Sequence, residues 1–238
     1  MPRELHMCAW NIGGQHAYIP QLVREVGLPD VFFCLETWVM QGSDHPALHG
    51  YKHYACQRQR TNVIGRPHGG VVAYVKRDLV AGGVSVTKDA HAGFVCVQLR
   101  AFRLAVIGSY IPPVTSVLLS DGRLHPQPVV ALQELICKLQ AEGMHIVLLG
   151  DLNARTHNKP DFDLAVVQAL ADSGVPGPYM HYASIPVDRA ALEEKACCSR
   201  GDELLACLSE CNMVLLNGRA PAGDDTHGQF TCSRSGGE

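Results

Sequence analysis

Three short apolar runs in this chain stop abruptly on a carboxylate or a carboxamide. "LHMCAWNI" (5–12) closes on Asn11 before Gly13-Gly14. "DVFFCLE" (30–36) is almost continuously apolar and ends on Glu36. "HIVLLGDLNAR" (145–155) carries four apolar residues into Gly150 and Asp151, with Asn153 two positions on. A run of this length without alternation predicts a strand covered on both faces, which demands layers above and below it. A polar turn closing each strand is the plain alternative, because Gly, Asp and Asn are common turn residues. If the strands are neighbours, their polar ends converge on one edge of a sheet, where α/β folds place ligands. Glu36 fits the turn reading least, since it lies between an apolar run and an aromatic and calls for a nearby cation.

The remaining periodicities supply the layers. "AYIPQLVREVGL" spaces Ile19, Leu22, Val23 and Val26 as a helix that stops at Gly27. "HGGVVAYVKRD" (68–78) reads as a strand, and "VSVTKD" alternates like one. "GFVCVQLRA" and "RLAVIGSYIPP" form a strand pair turning near Arg100 to Arg103. Pro112-Pro113 open a loop to about Pro128, and "VVALQELICKLQAEG" is an amphipathic helix closing on Gly143. "DLAVVQALADSG" reads as a shorter helix, residues 175–199 as an irregular insertion, and "GDELLACLSECN" (201–212) as a helix. "MVLLNGR" (213–219) reads as a strand, and "GQFTCSRSGGE" begins another. Strands mixed with helices, some strands hairpin-like, predict a mixed sheet system with covering helices in one domain, 1–238.

With 238 residues there is ample chain for a core. A net charge of −3 removes any overall basic signal for nucleic acid. Arg58, Arg60 and Arg66 form a local basic stretch, for which charge alone favours a solvated loop. No apolar run approaches the roughly 20 residues that span a bilayer, and the first residues lack the apolar core of a signal peptide. The expected setting is intracellular, with no membrane partner. The ten cysteines are scattered in apolar contexts, as in "VFFCLE", "FVCVQL" and "ELICKL", and are expected in the core. Cys197, Cys198, Cys207 and Cys211 lack paired C-x-x-C knuckles, so packing is preferred to zinc.

Taken together, "WNIGG", "DVFFCLETW", "GSYIPP", "VLLGDLNAR" and "MVLLNGR…FTCSRSGG" resemble the endonuclease/exonuclease/phosphatase superfamily. "ETW", "HGGVVAYVKRDL" and "GDLNAR" are most similar to the endonuclease domain of non-LTR (LINE-type) retrotransposons. The resemblance implies a four-layer α/β sandwich, two mixed β-sheets flanked by helices. It also implies phosphodiester hydrolysis by water activated with Mg²⁺ or Mn²⁺. Under it Glu36 is an oxygen ligand to the metal. Asn11 sits beside the ion and orients it or the phosphate. Asp151 aligns and deprotonates the attacking water, and Asn153 donates to the phosphate as charge builds. Tyr110, in "GSYIPP", corresponds to a tyrosine that hydrogen-bonds the phosphate; without the resemblance it reads as a strand-end aromatic. His68 is a candidate contact to DNA backbone or a plain loop histidine. Arg155 and Arg219 are candidates for DNA phosphates, though surface arginines are common. The implied partners are DNA and a reverse-transcriptase domain in the parent polyprotein, and the implied compartment is the nucleus.

One departure qualifies this. The family pattern continues past "FTCSRSGG" into an Asp-bearing strand and a Ser-Asp-His, whereas the sequence stops at Glu238. Ser43-Asp44-His45 lies just after Glu36, at the wrong place for that role. The expectation is therefore a fold missing its last strands and a chain weakly active or inactive as it stands. Two alternatives stay open: a phosphoesterase acting on small or lipid phosphates, and a non-catalytic remnant that binds nucleic acid or protein.

Overall fold

The computed structural model describes residues 3–39, 42–57, 69–116, 119, 125–157, 159 and 197–216. It contains two compact units, Met1–Asn153 and Ala154–Glu238.

The first unit carries both sheets. β1 (Met7–Asn11), β2 (Val31–Leu35), β3 (Tyr51–Cys56) and β4 (Val71–Lys76) form a sheet in the order β1-β2-β4-β3. β5 (Val84–Asp89), β6 (Phe94–Leu99), β7 (Leu104–Tyr110) and β8 (His145–Asp151) form the second, in sequence order. Each sheet is mixed. β1 runs parallel to β2 and β7 parallel to β8, while the other pairs are antiparallel.

The sheets pack face to face. Val31, Phe33 and Leu35 of β2 and Val71, Ala73 and Val75 of β4 share one core with Val95, Val97 and Leu99 of β6 and Val106 of β7. The alternate residues of β2 and β4, Phe32, Cys34, Val72 and Tyr74, face outward. There they meet Ile19 and Val23 of α1 (Ile19–Glu25). That double coverage explains why β2 is fully buried and shows no polar alternation. On the far side α3 (Pro128–Ala141) lies against β8 and buries Val129, Leu132, Ile136 and Leu139, the spacing of a helical stripe. Helix, sheet, sheet and helix make the four layers that the resemblance implies.

Phe33 reaches across the seam onto Gly108 of β7, where a Cβ would overlap its ring. A glycine mid-strand thus leaves room for a side chain of the facing sheet.

Both predicted helix stops hold, and for one reason. Gly27 and Gly143 have φ of +79° and +75°. Leu28 N–H then reaches Val23 O at 2.8 Å and Met144 N–H reaches Leu139 O at 3.0 Å. This is the left-handed C-terminal cap that glycine makes cheapest.

Four expectations need correction. β3 was not expected as a strand. It is an edge strand pairing only with β4, and Lys52 and His53 break its apolar pattern. The strand read over 68–78 ends at Lys76, because Arg77 N–H bonds Gly50 O and a short helix, α2 (Arg77–Ala81), begins there. Met213–Leu216 forms no strand among the described residues. Met213 instead caps α4 (Ser199–Glu210), its N–H on Leu208 O at 2.8 Å, with Asn212 left-handed at φ 50°. Cys137 is exposed rather than in the core, since Ile136 and Leu139 occupy the stripe facing the sheet. Cys34, Cys56, Cys96, Cys207 and Cys211 are buried as expected. Among the described residues no group of three or more His, Cys, Asp or Glu side chains is arranged for a metal ion. The helix read near 163–174, the insertion up to residue 196 and the strand expected after residue 227 lie outside the described residues.

Candidate active site

The seam between the sheets sets the site. β1 and β8 are outer strands of different sheets and lie beside one another across the sandwich. Alternation along β1 puts Asn11 on the face of Met7 and Ala9, and along β8 it puts Asp151 on the face of Val147 and Leu149; all four apolar residues pack on the inter-sheet core. Both polar residues therefore emerge at the carboxyl end of that core. There Asn11 Nδ2 donates to Asp151 Oδ2 at 2.9 Å, a bond between residues 140 apart in sequence that bridges the two sheets.

The rest of the geometry fixes these two groups. Gly13 N–H donates to Asn11 Oδ1 at 3.1 Å, which holds the amide with its nitrogen toward Asp151. Asn153 N–H donates to Asp151 Oδ1 at 3.1 Å, closing a turn of the Asx kind directly after β8. Asn153 is left-handed at φ 47°, which Asn tolerates, and its Nδ2 donates to Ile111 O at 2.8 Å. Ile111 N–H in turn bonds Asp151 O at 3.0 Å. The polar turn and the functional cluster are thus the same object: the turn holds Asp151 in place. Each Asp151 oxygen accepts one hydrogen bond from these neighbours and retains a lone pair for another donor.

Glu36 follows β2 directly. β1 pairs with β2 in parallel register, Asn11 opposite Leu35, so Glu36 comes next to the Asn11 end. Glu36 has φ 51° and Trp38 φ 52°, a backbone that non-glycine residues adopt at a cost and that clusters at functional sites. Three backbone bonds impose it. Gly14 N–H reaches Glu36 O at 2.8 Å, Thr37 N–H reaches Gly70 O at 3.3 Å, and Trp38 N–H reaches Gly69 O at 3.0 Å. Gly70, at φ +89°, has no room for a Cβ because Thr37 Oγ1 would be 2.5 Å away. The "HGG" glycines are thus the clamp that turns the chain after Glu36, a role the sequence signalled only as a strand start. The Glu36 carboxylate makes no hydrogen bond or ion pair with another described residue. The cation expected next to it is not a protein side chain among these residues.

Tyr110 lies opposite Asp151 in the parallel β7–β8 pair. Its side chain is 6% exposed and packs in the inter-sheet core. Arg155 is exposed and belongs to the second unit, its backbone exchanging bonds with Cys198 at 3.2 and 3.1 Å. His68 and Arg219 lie outside the described residues.

The donor set of the cluster consists of hard oxygens: two carboxylates, Glu36 and Asp151, and two carboxamides, Asn11 and Asn153. That suits Mg²⁺ or Mn²⁺, which takes one or two carboxylates and fills its remaining positions with water and substrate oxygens. It does not suit a soft or imidazole-preferring ion.

A sequence model of the Endonuclease/Exonuclease/phosphatase family matches residues 8–191 of the chain. Comparison with curated protein sequences finds no match. Among solved structures, the chain is similar to a 3'-5' exonuclease (NExo) from Neisseria meningitidis, at 18% identity and TM-score 0.45, covering 64% of this chain and 59% of that one. The catalytic domain of APE2 from Xenopus laevis aligns at 15% identity and TM-score 0.48, covering 67% and 61%. The AP endonuclease LMAP from Leishmania major aligns at 13% identity and TM-score 0.45, covering 64% and 56%. The chain spans about three fifths of the length of these solved structures.

Proposed function

The chain belongs to the Endonuclease/Exonuclease/phosphatase family, and we propose from that premise that its strand-end cluster hydrolyses phosphodiester bonds in DNA with the aid of Mg²⁺ or Mn²⁺. The observation that carries the proposal is the Asn11–Asp151 bond, which joins the carboxyl ends of two sheets into one rigid polar edge.

Each residue has a task that its contacts support. Glu36, with its carboxylate unclaimed by another described residue, is the principal ligand for the ion, and Asn11 follows from the adjacent strand end. A bound divalent ion supplies charge neutralisation of the phosphate and lowers the pKa of water. Asp151 accepts the proton of the attacking water on the lone pairs that Asn11 and Asn153 leave open. Being pinned at both oxygens, it loses little orientational freedom when it acts. Asn153, with one N–H committed to Ile111, keeps the other for a phosphate oxygen. Tyr110, opposite Asp151 in the β7–β8 pair, is assigned to a phosphate oxygen on the resemblance. His68, Arg155 and Arg219 are assigned to DNA phosphates on the sequence alone.

The finer reading is an endonuclease domain of a retrotransposon-derived protein, nicking DNA in the nucleus beside a reverse-transcriptase domain. The wording of "ETW", "HGGVVAYVKRDL" and "GDLNAR" supports it. The test is relaxation of supercoiled plasmid by the purified chain with Mg²⁺ or Mn²⁺. Slow nicking is expected, abolished by EDTA and by Glu36→Gln or Asp151→Asn. Nicking that survives both substitutions would place the chemistry elsewhere, and preference for a soluble phosphomonoester over DNA would replace the substrate.

A further inference from the structure

The loops after β1 and β2 enclose a second feature, a cleft of about 540 Å³ lined by His16, Trp38, Ser43, Asp44 and His45 among others. None of these side chains takes part in the strand-end cluster. His45 is 4% exposed, and neither of its ring nitrogens has a hydrogen-bond partner. His16 Nδ1 is likewise buried and unpartnered. The two rings stand edge to face, centroids 6.1 Å apart at 63°. His53 lies on the other side of His45, also at 6.1 Å, and Tyr74 stands 5.9 Å beyond His53.

A buried imidazole with no partner forfeits the hydrogen bonds it would make to water, and native proteins seldom leave such groups idle. Burial, with His16 and His53 adding to it and Asp44 opposing, pushes His45 down to about 4. Its ring is neutral at pH 7, so a nitrogen lone pair stays available for a ligand. Imidazole nitrogens are the preferred donors of zinc-like ions rather than of Mg²⁺. An ion about 2.1 Å from one nitrogen of each ring holds the centroids roughly 5–6 Å apart, close to the separation found here.

We propose that this cleft binds one divalent ion of the imidazole-preferring class, with Zn²⁺ as the model ion, between His16 and His45. Among the described residues no group of three or more His, Cys, Asp or Glu side chains is arranged around an ion. The protein therefore supplies two nitrogens and water completes the shell, giving a modest site rather than a structural zinc. The ion would join the Gly13–His16 loop to the Ser43–Pro46 segment, and Trp38 already packs on Gly14 in the first of them. The proposal does not rest on the phosphodiester reading, because its donors are nitrogens and the other site's are oxygens.

Ring ¹⁵N spectra of histidine-labelled chain during Zn²⁺ titration test it, with a readout that thiol-bound Zn²⁺ does not disturb. Two histidines should shift together by one equivalent, identified by loss of their signals in His16→Ala and His45→Gln. Each single substitution should weaken Zn²⁺ at the remaining histidine by roughly tenfold or more. His16 is only half-buried, so His16→Ala is expected to fold, as its melting curve would show. Rings of His16 and His45 that do not move at millimolar Zn²⁺ would overturn the site. So would a His45 response that is unchanged in His16→Ala.

Discussion

Asp151 is held at both oxygens by Asn11 and by the amide of Asn153, and that double restraint shapes what single substitutions should do. Asp151→Asn keeps the side chain's size but removes the proton acceptor, and Glu36→Gln removes the cluster carboxylate that makes no hydrogen bond or ion pair with another described residue. Each is expected to lower phosphodiester cleavage by about 10²-fold or more; Glu36→Gln should leave the melting temperature nearly unchanged, whereas Asp151→Asn turns one of two acceptors into a donor and should also cost about 1 kcal/mol of stability. Asn11→Ala should act differently. It leaves Asp151 charged but free to rotate, so a smaller loss of about tenfold is expected, and chemical denaturation should show a cost of about 1 kcal/mol for the lost inter-sheet bond. The measurement is cleavage rate beside a urea midpoint for all three variants. Of these residues, Asn11, Glu36, Asp151 and Asn153 were legible in the sequence, because each ends an apolar run. Their connection was not, because a bond between residues 11 and 151 depends on two sheets that sequence periodicity describes only one strand at a time.

At the scale of the elements, glycines and one buried carboxylate control how strands meet. Gly70→Ala must place a side chain at φ +89° against Thr37, so the clamp behind Glu36 should open. The expected cost is about 1–3 kcal/mol of stability, with a loss of cleavage larger than that destabilisation explains. A variant with wild-type activity would show that the clamp does not position Glu36. Gly108→Ala presses a Cβ into the Phe33 ring across the seam and should cost about 1–3 kcal/mol or more. It does so without touching the site, which thermal melting against activity per folded molecule would separate.

Asp30 is the carboxylate that ties the starts of β1 and β2 to the end of β4. It is 5% exposed, accepts the His6 N–H at 2.9 Å, and pairs with Arg3 at 2.9 Å and Lys76 at 3.2 Å. Burial pushes its carboxyl up, but the His6 amide, Lys76 and Arg3 together outweigh that and hold it below its ordinary 3.8. A carboxyl depressed in the folded state adds stability that is fully present above 3.8 and is lost as pH falls through the folded value. Asp30→Asn should therefore cost about 1–3 kcal/mol at pH 7. It should also flatten the loss of stability below pH 4, as urea midpoints from pH 7 to pH 3 would reveal. Most element positions followed from apolar periodicity and glycine stops. β3 escaped because an edge strand with one open face tolerates Lys52 and His53, and α2 escaped because its five residues are too few to display a helical period.

For the first compact unit as a whole, the fold explains why polar ends collect at one place. Two mixed sheets pack through β2, β4, β6 and β7, and their parallel pairs, β1–β2 and β7–β8, deliver carboxyl ends to the same edge. The layered class was readable from β2 alone, since a strand with no exposed face needs cover on both sides. The pairing of β1 beside β8 across the seam was not, being a contact between outer strands of separate sheets. If that edge is a hard-cation site, Mn²⁺ should bind there without any catalysis being required. Titration of Mn²⁺ followed by electron paramagnetic resonance is the most direct trial. One ion per chain should bind, be displaced by excess Mg²⁺, be lost in Glu36→Gln and be weakened in Asp151→Asn. Mn²⁺ binding that is absent, or that persists unchanged in both variants, would contradict a metal-dependent site at the ends of β1, β2 and β8.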